Sequence, residues 1–584
     1  MKNIDLLDPV QHYNDVLAAT HEKNIHDFFE DLVSKSGVDA DANRKTVQDY
    51  KKQLESIKNI DKKISKYKIL RTFLIIFAVI GIIVAVMSFS NFESSVLKGI
   101  LMLVGGGAVA GVCIWLWFGK VNKILKDSNA LKEQEEAKAD ELLALANEQM
   151  APLNALFNDT DTFRIIEKTL PEILFDNAFS KKHEELFNLQ YDFVDIIDGE
   201  SSVIDTVSGS FCKNPFLYFR YKAHEMGTQT YQGSLTIHWT ETYRDSNGNL
   251  CTRNKSQTLY ATVEKPKPYY NVYTSLGYGA QAAPNLNFSR NPSHIERLND
   301  KEIAKRIKAG EKELQKQAKR SLKDGGNFQE MANSEFDVLF GANDRDNEVE
   351  FRLLFTPLAQ TNMVKLMRDH TAFGDDFHFF KFGRYNIVRS EHAAGWDMST
   401  TADNYYSYDI DEIRAKFLTF NASYFKSVFF DFAPFMTIAP YLDEPVASME
   451  PPKEYDANFT YYEHEIAANA LGSDSFAAPD TITDVILKTQ FVSKQSSEDI
   501  VNVTAYSYYG VDRVDYVPVL GGDGHYHNVP VQWVEYVPTE KTSTIGIKSL
   551  DSTVTDFKRA SEEHTKDLIT DNWSFTHGML AYLK

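Results

Sequence analysis

Two charge-free apolar runs dominate the pattern along the chain. Thr72 to Phe89 has no charged residue in eighteen positions, and twelve of these are Leu, Ile, Val or Phe. At roughly −0.3 to −0.6 kcal/mol for each such residue at a helix centre, the run favours membrane insertion by roughly 4 to 7 kcal/mol. Gly99 to Phe118 has no charge in twenty residues and ends on Trp115 and Trp117, rings that favour the interface between headgroups and acyl chains. Each run is long enough to cross a hydrocarbon layer about 30 Å thick. Only the stretch "SNFESSVLKG", Ser90 to Gly99, separates them. The pattern therefore predicts a transmembrane helical hairpin over residues 72–118.

The flanking segments repeat at helical spacing. Before the first run, Val47, Tyr50, Leu54, Ile57, Ile60, Ile64 and Tyr67 recur every three or four residues, one apolar stripe on a helix. After the second, Val121, Ile124, Leu131, Leu142, Leu145, Met150, Leu153 and Phe157 form a longer, less regular stripe. Helices entering and leaving the bilayer side by side predict an antiparallel coiled-coil stalk built from residues 43–71 and 119–160. From Val47 to Lys68 it reaches about 33 Å. Within the spans, Gly81-x-x-x-Ala85 and Gly107-x-x-x-Gly111 place small residues where helices approach closely, either inside one hairpin or between copies. Residues 1–42 read as two short amphipathic helices with Gly37 as a stop signal.

Beyond about residue 190 the period changes. Leu235 to Tyr243 and Leu250 to Val263 alternate as strands around Asn247-Gly248, a strong two-residue hairpin signal. A second hairpin turns at Gly521 to Gly524, and Glu348 to Phe355 reads as a strand. Thr356-Pro357 caps a helix through Met367, Asp411 to Phe432 reads as a helix rich in Phe and Tyr, and another helix covers Tyr462 to Leu471. Strands interleaved with helices and joined by tight turns predict an α+β body rather than a doubly wound sheet. Pro445, Pro451 and Pro452 mark a break that divides it into 161–443 and 444–584, the second segment either separate or completing the same domain.

Charge orients this arrangement. Between Arg44 and Arg71 there are ten Lys or Arg against three Asp or Glu, and Lys120, Lys123 and Lys126 follow the second run, whereas the connection carries only Glu93 and Lys98. Basic flanks stay on the cytoplasmic side, which places both termini and the large body in the cytosol, against the inner face of the membrane. The first residues lack the features of a signal peptide. Three cysteines, Cys113, Cys212 and Cys251, make no disulfide framework and fit a reducing compartment. Of the net charge of −20, all but −1 lies beyond Met150. A body so acidic is ill suited to nucleic acid, which calls for a basic footprint, and anionic lipid repels it. One exception is the helical stretch from Arg297 to Lys323, with ten basic and four acidic residues and an apolar stripe of Ile303, Ile307, Leu314 and Leu322. It either touches anionic lipid or packs on the body as a solvated helix.

Candidate chemistry is sparse. His525 and His527 fall on one side of a strand and, with His464 or Glu465, supply ligand types suited to a metal; an HxH pair alone specifies little. Asp344 and Asp346 in "NDRDNEVE" lack the glycine and spacing of a calcium loop. There is no GxxxxGKS/T phosphate loop, no HExxH helix and no GxSxG elbow, and no motif points to a cofactor.

The order of a cytosolic helix, a membrane hairpin, a return helix and then "YDFVDIIDGESSVIDTVSGSFCKNPFLYFR" with "YQGSLTI" resembles a group of bacterial inner-membrane proteins that share a domain of unknown function with two spans and a cytosolic β-containing part. "TETYRDSNGNL" and "VLGGDGHYHNVPVQW" are similar to stretches in membrane proteins of Gram-positive bacteria and their wall-less relatives. The first resemblance covers the N-terminal 240 residues or so and implies a LemA-like membrane protein as a partner; it carries no catalytic residue over. Together these readings favour a membrane-anchored scaffold or interaction protein that self-associates and presents an acidic surface to a protein partner. The alternative is a membrane-tethered, metal-dependent hydrolase built on His525 and His527.

Overall fold

The computed structural model describes residues 4–91, 96–176, 184, 187–188, 190–191, 200–244, 247–396, 398–443, 459–495, 498–549, 573–576 and 579–584. About half the chain is helix and about 30% is strand, all of it in antiparallel sheets, so the α+β class holds. The chain forms two compact units, residues 22–165 with 400–423, and residues 1–21, 166–399 and 424–584.

The first unit is helical. Gly37, at φ +67°, ends the helix Ala18–Ser36 in the left-handed conformation that glycine adopts without a Cβ penalty. Asp39 then accepts the backbone N–H groups of Asp41 (3.1 Å) and Ala42 (3.0 Å) and starts the 52-residue helix Ala40–Asn91. The helix Val96–Leu116 continues through one wide turn, Trp117–Val121, into Asn122–Asn154. Asn43 meets Gln149 (3.4 Å), Asp61 pairs with Lys132 (2.8 Å), and Ile64 clusters with Val121 and Leu125. Of the two apolar stripes, Val47, Ile57, Ile64, Met150 and Leu153 are buried, whereas Leu54, Leu131 and Leu145 are exposed. A separate core gathers Phe29, Met150, Leu153 and Phe157 with Tyr405, Ile413 and Phe417. Two helices of this unit, Ala40–Phe89 and Ile100–Asn154, are long and apolar enough to cross a membrane.

The second unit holds both sheets. The strands are β1 (Ile173–Phe175), β2 (Ser201–Phe211), β3 (Asn214–Arg244), β4 (Leu250–Gly279), β5 (Asn287–Arg290), β6 (Phe377–Phe382), β7 (Tyr385–Ser390), β8 (Ile486–Gln495), β9 (Glu498–Leu520), β10 (Tyr526–Ser549), β11 (Trp573–Thr576) and β12 (Met579–Leu583). One sheet runs β1-β2-β3-β4-β7-β6-β5 and the other β11-β12-β10-β9-β8. Their shared core includes Leu217, Phe219, Ile387, Val501, Val503 and Ile545. The helix Tyr461–Ala470, opened by a capping box between Thr460 and Glu463, adds Tyr462 and Ile466 to it.

Both predicted hairpins are present, and both are far longer than the alternating segments suggest. β3 pairs with β2 only as far as Ala223, and β4 pairs with β7 only over Leu276–Gly279, so the rest of the β3–β4 ribbon extends beyond its sheet. The β9–β10 ribbon does the same and packs on it through Ile237, Leu259, Ala261, Val529 and Val531. Pro266, Pro268, Pro518, Pro530 and Pro538 all occupy alternate positions of their hairpins, those whose N–H would point away from the partner strand. Where the ribbons meet, Gly233 is required by space: a Cβ there would lie 2.0 Å from the carbonyl oxygen of Pro530. Gly233→Val is therefore expected to separate the two ribbons and to expose their facing valines and Ile237. Faster proteolysis within 224–262, with cleavage elsewhere unchanged, checks it.

One predicted element is wrong. Residues 348–355 are not a strand but the helix Glu348–Leu354, capped by Asn347, whose side chain accepts the N–H of Glu350. The alternation of Val349, Phe351, Leu353 and Phe355 misleads, because Val349 and Leu353 are each 67% exposed while Phe351, Leu354 and Phe355 are buried at helical spacing. The next helix, Pro357–Arg368, does start at Thr356, and the aromatic helix runs Ile410–Met436 with Phe417, Phe425 and Phe429 buried. The basic stretch begins as a helix at Asp300 behind an Asn299–Glu302 capping box and ends at Lys323. Its Ile303 and Leu314 are buried, and Gly310 abuts Val338 of the helix Ser334–Phe340. Leu322 is 79% exposed. Pro445, Pro451 and Pro452 lie outside the described residues.

Candidate functional site

The two apolar helices touch through small residues. A Cβ on Gly81 would sit 2.8 Å from the Gly106 carbonyl oxygen and 3.3 Å from Ala110 Cβ. One on Gly106 would sit 2.6 Å from the Gly81 carbonyl oxygen and 3.3 Å from Ala85 Cβ. Gly81 and Ala85 thus meet Gly106 and Ala110, one position before the predicted Gly107 and Gly111, beside which space is open for 4 Å. Backbone approach this close removes the gap a side chain would hold open and gains dispersion contacts along both helices. Their most apolar eighteen-residue windows are only 17% and 11% buried. At the far end Trp115 is 63% exposed with Lys120 Nζ 5.8 Å from its ring, and Trp117 Nε1 donates to Asn122 Oδ1 at 3.2 Å.

The histidines singled out from sequence do not converge. His525 and His527 flank the start of β10, and His527 Nε2 lies 2.9 Å from Asp523 Oδ2. His464 is buried and faces Asp499 Oδ2 at 3.2 Å. Glu465 is taken by Lys488 (2.7 Å) and by the backbone N–H of Val203 (2.8 Å). Asp499 pairs in register with Ile547, twenty residues along β10 from His527, which is about 60 to 70 Å of strand. Among the described residues no group of three or more His, Cys, Asp or Glu is placed to hold a metal ion.

Other polar groups buried in the second unit carry no motif in the sequence. His392 is held by Asp376, with Nδ1 2.7 Å from Oδ2, and its Nε2 lies 3.5 Å from Asp431 Oδ1. Asp431 also accepts from Ser390 Oγ (2.5 Å) and Tyr218 OH (3.2 Å), and the His392 ring stacks on Phe373 at 3.9 Å. Burial alone lowers the basicity of His392, but the charge of Asp431 and the hydrogen bond and charge of Asp376 outweigh it, and its pKa is raised. Lys381 is fully buried and donates to the carbonyl oxygens of Ala282 (3.0 Å) and Gly383 (2.6 Å); burial pushes it down to about 7. Its one sequence signal is register. It follows Phe377 and Phe379 on the inward set of β6, where a charge is out of place. His392 and Lys381 are each enclosed by the partners just named. Neither a protein-family model, nor a curated protein, nor a solved structure matches this chain.

Proposed function

We propose that this chain is a membrane-anchored scaffold. The two apolar helices span a bacterial inner membrane as a hairpin, and their continuations pair as an antiparallel coiled-coil stalk. Both termini and the acidic α+β body stand in the cytosol, where the body self-associates and meets a protein partner, a LemA-like membrane protein being the candidate that the sequence resemblance offers. The observation that carries the reading is the long pair of helices whose apolar windows are more than four-fifths unburied. In water such a surface costs about 25 cal/mol per Å² left exposed, so it needs a lipid or protein cover. The close approach of Gly81 to Gly106 and the Asp61–Lys132 and Asn43–Gln149 contacts support a hairpin continuous with a stalk. Basic flanks supply the orientation.

Thiol accessibility tests it. Cys251 in the body is partly exposed, whereas Cys212 is buried. An impermeant maleimide added to intact cells is expected to leave Cys251 unlabelled until the membrane is opened, and to label a Ser94→Cys variant in the connection at once. Labelling of Cys251 in intact cells would invert the orientation and end the reading of a cytosolic scaffold.

A further inference from the structure

Seven lysines of the helix Asp300–Lys323 lie in one row. Lys301, Lys305, Lys308, Lys312, Lys316, Lys319 and Lys323 follow one another every three or four positions, and all seven are exposed. At about 100° per residue they fall within an arc of about 80°, and at about 1.5 Å of rise the row is about 33 Å long. The arc is centred opposite the side that packs on the body, where Ile303 and Leu314 are buried and Gly310 abuts Val338. Asp300, Glu302, Glu311 and Glu313 belong to the same helix, but none of them falls within the arc. Among the described residues only Lys316 of the row has an ion pair, with Glu313 at 2.7 Å. Like charges three or four positions apart on a helix repel, and a merely solvated helix face mixes its signs. Acids are plentiful in this chain, 82 Asp or Glu against 62 Lys or Arg, yet this face has none.

We propose that the lysine row lies along the anionic lipid surface of the membrane in which the chain is anchored. The row is straight and faces away from the body, so one plane meets all seven ammonium groups together. Lysine is a flexible, strongly hydrated point charge suited to a diffuse field of headgroups, whereas paired recognition of a single phosphate or carboxylate calls on arginine. Leu322 is 79% exposed three positions after Lys319, so the end of the row also offers an apolar side chain to the headgroup region. The body as a whole is acidic and an anionic leaflet repels it; attraction confined to one helix therefore turns that side of the second unit towards lipid. The proposal rests on the membrane-anchored reading and adds which side of the body meets the bilayer.

The test uses the full chain in nanodiscs, where both leaflets are open and orientation in the cell plays no part. Gln315, exposed beside the row, is replaced by p-benzoylphenylalanine, and adducts on its peptide are measured by mass spectrometry after irradiation. The discs contain phosphatidylcholine alone, or phosphatidylcholine with phosphatidylglycerol as one lipid in three. Expected is at least fivefold more lipid adduct in the anionic discs. Lys305→Gln, Lys308→Gln, Lys312→Gln and Lys319→Gln together are expected to return the yield to the phosphatidylcholine level, and the corresponding Lys→Arg changes to preserve it. Equal yields in both lipids, or a yield indifferent to the four charges, overturns the row as a lipid contact while the anchored reading stands. An adduct that joins two copies gives the row to the acidic surface of a neighbour and overturns the lipid contact as well. A chain that does not stay with the discs overturns the anchored reading, and the proposal with it.

Discussion

Arg345→Ala is expected to destabilise the second unit by about 3 to 5 kcal/mol, the cost of stranding buried charges by removing their partner. The Arg345 side chain is 0% exposed, and it holds two carboxylates that are nearly as deep, Asp337 Oδ1 at 2.6 Å and Glu348 Oε1 at 2.7 Å. Its remaining N–H groups go to the carbonyl oxygens of Ala342 (3.2 Å) and Gln329 (2.8 Å), and the guanidinium lies between Phe328 and Phe351, 4.4 and 4.5 Å from their rings. Alanine leaves Asp337 without a cation, leaves Glu348 with only the longer contact from Arg352 (3.6 Å), and opens a void between the rings. Arg345→Lys restores a point charge but not the fork that reaches two carboxylates and two carbonyls, so it is expected to recover less than half the loss. Chemical denaturation of the full chain in detergent, followed by circular dichroism in the β region, reads both variants. A loss under about 1 kcal/mol for Arg345→Ala would mean that the cluster relaxes around the gap, contrary to the argument from burial.

The same loop shows how much of this protein its sequence discloses. "NDRDNEVE" can be judged not to be a calcium loop from spacing alone, but what its acids do depends on a strand sixty residues earlier. Asp344 accepts the N–H of Ser289 (2.9 Å) and Asp346 that of Asn287 (2.8 Å), so the loop clamps the free edge of β5. Local signals read correctly where the cause is local: Gly37 as a stop, Thr356-Pro357 as a cap, Gly248 at the turn with φ +84°, and the two charge-free helices. They fail where tertiary contact decides. Residues 348–354 alternate like a strand, yet Asn347 caps them and Phe351 and Leu354 find the core at helical spacing. Gly107 and Gly111 match the small-residue pattern as well as Gly106 and Ala110 do, and only the rotation of the helix about its axis separates the two pairs. Asp376, His392 and Asp431 come from the residue before β6, the turn after β7 and the second half of the aromatic helix, and no spacing in the sequence brings them together.

That trio makes stability depend on pH in a way that a single substitution isolates. His392 binds its proton more tightly in the folded chain than in the unfolded one, where its pKa is about 6.5. Its contribution is therefore complete below about pH 6.5 and is lost as pH rises through its elevated folded value, with a limiting slope of about 1.4 kcal/mol per pH unit. Burial likewise raises Asp431, although the charge of His392 and the bond from Ser390 oppose the shift; it acts in the same direction at more acidic pH. Lys381 acts in the opposite sense. Held down at about 7, it releases its proton in the folded chain while the unfolded chain keeps it, so stability rises with pH from about 7 towards 10.5. The raw profile of the wild type between pH 6.5 and 8.5 therefore mixes two opposed titrations, and the difference between wild type and His392→Gln removes the one they share. Glutamine still donates to Asp376 but carries no charge towards Asp431. The variant is expected to be less stable by about 3 kcal/mol at pH 6, with the gap narrowing steadily as pH rises to 8.5. Asp431→Asn supplies the check on cause, since removing that charge lowers the His392 pKa and shifts the narrowing to lower pH. Melting of the full chain in detergent at half-unit pH steps measures all three. A gap that stays constant across the range would mean that His392 is neutral throughout and that its contacts with the two aspartates are those of a packed, uncharged ring.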